Sequence, residues 1–185
     1  MKFLDNLEIQ NWCESRALLA NADGRLYYDL ERFYCLTIGL DIKKPENLVG
    51  LASRLVLMAH DYTYNGALLW VTQRDIWPDY SEKTGAKMIE LMRLARGETA
   101  QLEDRPGHLF GPDDYYEMQS YLLLPLLFGW DAFIVPEGED YFVFISHDSV
   151  VAVVSRTPEV HESRRTYLAN WHPRDDDWYR KFYVE

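Results

Sequence analysis

The sequence predicts an α+β fold: a mixed or antiparallel sheet that includes a C-terminal three-stranded meander, covered by about four or five helices on one or both faces. Two observations carry this. Residues 131–135, 141–146 and 149–155 are three β-branched and aromatic runs separated only by Pro136-Glu137-Gly138-Glu139-Asp140 and His147-Asp148, the spacing of an antiparallel meander. Ahead of them, apolar residues recur at three- and four-residue spacing between start and stop signals, the mark of amphipathic helices.

Taken in order, residues 7–18 predict a short helix with Ile9, Trp12 and Cys13 on one face, and Asn21 to Gly24 predicts a turn. Residues 32–42 are rich in aromatic and β-branched side chains and predict a mostly buried strand. A helix starts at Pro45, since a first-turn proline forfeits no intrahelical bond, and Leu48, Leu51, Leu55 and Met58 form its inward stripe. After the turn signal Asn65-Gly66, residues 67–76 predict a strand that Trp77-Pro78 stops. Ser81 caps a third helix with Met88, Leu91, Met92 and Ala95 aligned, and Gly97 ends it. The polar stretch 98–111, with Pro106 and Gly107, predicts a surface loop of the length that often carries function. Gly111-Pro112-Asp113-Asp114 opens a fourth helix, which Pro125 bends or ends. Thr157-Pro158-Glu159 caps a last helix, with Val160, Arg164, Tyr167, Leu168 and Trp171 along one side. Without repeats, low-complexity tracts or flexible linkers, residues 1–185 are expected to form one domain, with 171–185 an aromatic and acidic strap.

With 19 Lys and Arg against 30 Asp and Glu, the chain carries a net charge of −11. Its basic residues are scattered, with Lys43-Lys44, Arg164-Arg165 and Arg180-Lys181 the basic doublets, so nucleic acid and anionic membrane surfaces are disfavoured as partners. The longest apolar run, 121–130, is interrupted by Pro125 and is about half of what a spanning helix needs. The first six residues lack the apolar segment of a secretory signal, and Cys13 and Cys35 read as buried thiols; a cytoplasmic location is expected.

Motifs for structural zinc, phosphate loops, dinucleotides and the hydrolase elbow are missing, and His161-Glu162 does not continue to a zinc-protease helix because position 165 is Arg165; no cofactor or metal is expected. The His60-Asp61 and His147-Asp148 neighbours hold residue types for acid–base chemistry, but adjacent residues seldom face one another, and helix-end and turn roles account for them. If the chain is a small enzyme or small-molecule binder, its pocket lies between meander and helices and draws on Trp130, with His147, Asp131 and Glu162 as catalytic candidates. Aromatic residues make up 15% of the chain, and in 171–183 aromatic clusters alternate with charge. This segment either packs back as a structural strap or presents Trp171, Asp175, Asp176, Asp177, Trp178 and Tyr179 to a partner. The leading expectation is a non-catalytic acidic binding protein that docks on a basic protein partner, with a homodimer compatible with it.

Overall fold

The computed structural model describes all residues except 22, 29–32, 42–43, 60–65, 74–79, 177 and 184–185. The His60-Asp61 pair, Asp177, Trp77-Pro78 and the Asn65 half of a turn signal lie outside the described residues. Among those described, ten strands and six helices follow in the order β1 (Lys2–Leu4), α1 (Asn6–Glu14), β2 (Leu18–Ala20), β3 (Leu26–Tyr28), β4 (Tyr34–Gly39), α2 (Pro45–Ala59), β5 (Ala67–Gln73), α3 (Tyr80–Ala95), β6 (Gly107–Phe110), α4 (Tyr115–Phe128), β7 (Asp131–Pro136), β8 (Tyr141–Ser146), β9 (Val150–Ser155), α5 (Pro158–Tyr167), β10 (Arg174–Asp175) and α6 (Trp178–Tyr183).

Eight strands form one sheet in the order β1-β6-β5-β7-β8-β9-β4-β10, antiparallel at every pairing, while β2 and β3 make a separate hairpin. The meander is its centre, and β7 and β8 are buried along their whole length because both faces of the sheet are covered. Alternate residues divide between the faces. On one face Leu36, Ile38, Leu69, Ile134, Val143 and Val153 pack with residues of α2 and α4. On the other, Leu68, Trp70, Phe133, Phe142, Phe144 and Val154 pack beneath Ile9 and Cys13 of α1, Leu18 and Leu26 of the hairpin, and Tyr179 of α6.

Several expectations are corrected. Residues 98–111 are more than a surface loop: β6 lies within them, paired on both sides by β1 and β5. Its Gly107 is the reason it fits there, since an added Cβ would press on Ile9 and Leu4 at about 3 Å. The first helix stops at Glu14, so Leu18 belongs to the hairpin. The fourth runs past Pro125 to Phe128 and ends at Gly129, whose φ of 64° supplies the left-handed cap. The third buries Ile89 and Arg93, whereas Met88 and Leu91 are half exposed. That helix is rotated because the chain after it wraps the Arg93 guanidinium. Arg93 Nη1 donates to Arg105 O at 2.7 Å and meets His108 Nε2 at 3.1 Å, and Nη2 donates to Ala100 O and Gln101 O.

Candidate functional site

The β4 edge of the sheet is where α5, β10 and the start of α6 converge. Thr157 caps α5 by accepting from Val160 N, and Pro158 occupies its first turn, so the helix descends beside β4 with His161 and Glu162 one turn in. His161 and Arg165 are four residues apart and therefore share a helix face. Both meet Asp175: His161 Nε2 lies 2.8 Å from Asp175 Oδ1, and the Arg165 guanidinium pairs with the same oxygen. Arg165, and after it His161, hold the Asp175 carboxyl below the usual range.

The backbone alternation of the strap explains what its two carboxylates do. Asp175 pairs with Leu36 in register and turns toward α5, whereas Asp176 turns to the opposite face, where its Oδ2 accepts from Thr37 Oγ1 at 2.7 Å and its Oδ1 from Trp178 N at 2.8 Å. These contacts carry the chain around the sheet edge from one face to the other. Between α5, the start of β4 and the strap lies an open groove of about 480 Å³, lined by Tyr34, Pro158, His161, Glu162, Asp175 and Asp176 with Phe33 and Cys35 beside them. Tyr34 packs on the His161 ring at 5.6 Å between centroids and remains 38% exposed. Cys35 sits on the same wall, but its side chain enters the core on the face away from α5, so it is not aligned with His161 and Asp175 as a nucleophile.

Strand register separates the two sets of proposed chemical residues. Tyr34, Tyr141 and Ser155 mark one end of the sheet, and Gly39, Ser146 and Val150 the other. Glu162 belongs with the first end, where it pairs with Arg165 at 3.5 Å. Asp131 and His147 lie at the second: Asp131 Oδ1 accepts from His147 N at 2.8 Å and lies 2.8 Å from His147 Nδ1, and His147 Nε2 is 3.6 Å from Asp148. Burial pushes the Asp131 carboxyl up, and both hydrogen bonds from His147 pull it back. This carboxylate bonds the turn between β8 and β9. Trp130 is fully buried among the core residues between meander and helices.

The residues singled out in the C-terminal segment have distinct fates. Asp175 and Asp176 rim the groove. Trp171 packs partly buried against the α2 face, and Trp178 stacks on Phe144 at 6.3 Å. Tyr179 is completely buried, its ring against Phe142 and Phe144 at 5.5 and 5.6 Å and its hydroxyl donating to Leu26 O. It offers no surface to a partner. Nothing local in the sequence groups Tyr34 with His161 and Arg165; the four-residue spacing of His161 and Arg165 is the one signal of their shared helix face, and it marks a clamp on a carboxylate rather than a metal site. Among the described residues, no three His, Cys, Asp or Glu side chains gather as a metal ion would require. No family model matches the sequence, and neither a curated protein nor a solved structure matches it.

Proposed function

We propose that the chain is a cytoplasmic, non-catalytic binding protein whose edge groove docks a basic segment of a protein partner. The observation that carries this reading is the exposed Tyr34 ring set among the carboxylates of Glu162, Asp175 and Asp176. An aromatic face attracts a Lys or Arg head electrostatically, and neighbouring carboxylates hold the same head by charge-assisted hydrogen bonds. Among the described residues, three carboxylates share the groove with the one guanidinium of Arg165, an excess of acid. The net charge of −11 adds long-range steering toward a cationic partner. The buried thiols of Cys13 and Cys35 suit a reducing compartment, and no helix of the described residues is long and apolar enough to cross a membrane.

The test is titration of a short arginine-rich peptide, followed by amide NMR, against an equally long glutamate-rich peptide. Shifts are expected at Tyr34, Glu162 and Asp176 with the first peptide, weakening as salt rises. Among the described residues the exposed Glu162 carboxylate pairs with Arg165 on its own helix, so Glu162→Lys is expected to keep the fold and to weaken binding roughly ten-fold. Equal affinity for both peptides, or an unchanged affinity in the variant, would remove the groove from the account.

A further inference from the structure

The edge groove has a cation of its own beside it. Positions 158, 161, 162 and 165 fall on one side of α5 at three- and four-residue steps. The first three line the groove, and Arg165 is the next member of the same stripe, outside the lining but within reach of it. Its guanidinium stands between two of the rim carboxylates. Arg165 Nε lies 3.5 Å from Glu162 Oε1, while Nη2 pairs with Asp175 Oδ1 and stands 3.4 Å from His161 Nε2. We infer that Arg165 is a built-in competitor for the groove, an internal cation that restrains how tightly a basic segment docks. The inference rests on the docking reading and concerns the control of that same site.

The strap has anchors other than this cation. Asp175 is also met by His161 at 2.8 Å, β10 pairs with Leu36 and Thr37 of β4, Asp176 is bonded by Thr37 and by Trp178 N, and Tyr179 is fully buried. The Glu162 and Asp175 side chains are 67% and 62% exposed, and an ion pair in such a setting adds little to stability. Its charge acts at contact distance all the same, where salt screens least. A Lys or Arg head that docks on Glu162 or Asp175 comes close to a like charge, so part of the attraction is cancelled before the partner arrives. Arg165 need not leave when this happens, because a carboxylate accepts several hydrogen bonds. The competition is one of charge, and it lowers affinity without blocking entry.

The probe is the short arginine-rich peptide, titrated by amide NMR into the full chain and into three variants at low and at raised salt. Arg165→Gln removes the charge and is expected to bind about five-fold more tightly, with a steeper loss of affinity as salt rises. Arg165→Lys keeps the charge and is expected to stay within about two-fold of the parent. Arg96→Gln makes the same change in net charge at a residue that pairs with Glu117 of α4, and is expected to behave like the parent. Hydrogen exchange at Arg174 and Asp175 reports the strap independently and should be unchanged in Arg165→Gln. Unchanged or weaker binding by Arg165→Gln, faster exchange in its strap, or equal tightening by Arg96→Gln would overturn the inference while leaving docking in place. No saturable shift at Tyr34 in the parent or in any variant would remove the docking reading and the inference together, whereas saturable shifts in Arg165→Gln alone would show the competitor at full strength.

Discussion

If the C-terminal strap is part of the folded core, replacing Tyr179 by Ala must register as a core truncation rather than as the loss of a surface contact. The Tyr179 ring is fully buried between Phe142 and Phe144, with Phe33 edge-on at 6.4 Å. Removing a large aromatic side chain from such a site costs about 3–5 kcal/mol, and the Leu26 carbonyl it leaves unpaired adds about 1 kcal/mol. With a urea dependence of about 2 kcal/mol per molar for a domain of this size, the unfolding midpoint should fall by about 2 M with an unchanged slope. Tyr179→Phe keeps the ring and loses only the hydrogen bond, so it should cost about 1–2 kcal/mol. Equilibrium urea unfolding measures both, and hydrogen exchange at Arg174 and Asp175 should accelerate in the Ala variant as β10 loses its downstream anchor. A loss below about 1 kcal/mol for Tyr179→Ala would refute the reasoning, because a side chain packed in this way cannot be removed so cheaply.

Two further outcomes follow from the buried cation. Burial, and then the neighbouring Arg93 charge, lower the His108 pKa from 6.5 to about 3, so below pH 6.5 the unfolded chain takes up a proton that the folded chain refuses. Stability should therefore be fully present above pH 6.5 and fall toward pH 3 by about 1.4 kcal/mol per unit from this group, and His108→Gln should flatten that limb of a pH series of urea melts. Arg93→Met leaves the carbonyls of Ala100, Gln101 and Arg105 without their donor and should cost about 3 kcal/mol or more, with exchange in residues 98–106 rising ahead of global unfolding; Arg93→Lys should rescue little, since one ammonium cannot span the same carbonyls.

What was legible in the sequence is what local chemistry dictates. The meander, the Pro45 and Thr157-Pro158 helix starts and the Gly97 stop follow from turn residues and dihedral preferences that hold wherever the chain is placed, whereas the fourth helix, expected to bend or end at Pro125, runs on to Gly129. The failures share one cause, the dominance of contacts distant in sequence. Gly107 looks like a loop residue until α1 is packed on it, and the third helix looks apolar along Met88 and Leu91 until the following segment encloses Arg93. The edge groove was invisible for the same reason: Tyr34, His161 and Asp175 come from three separate segments, and only the pairing of β10 with β4 brings them together. Asp175 and Asp176 stood out by charge alone, which said nothing of their opposite directions across the sheet edge.

Those opposite directions bear on how the proposed docking would interact with folding. Asp175 is held by Arg165 and His161 on one face, and Asp176 by Thr37 and the Trp178 amide on the other, so the carboxylates that rim the groove also latch the strap. A carboxylate accepts several hydrogen bonds, and a docked Lys or Arg can share Asp175 without displacing Arg165. Binding to the latched state alone then stabilises it by mass action, and a partner's affinity is reduced by whatever fraction of molecules has the strap released. Because the buried Tyr179 makes that fraction small, the proposed docking would meet a groove already formed, and little of its energy would be consumed in ordering the strap.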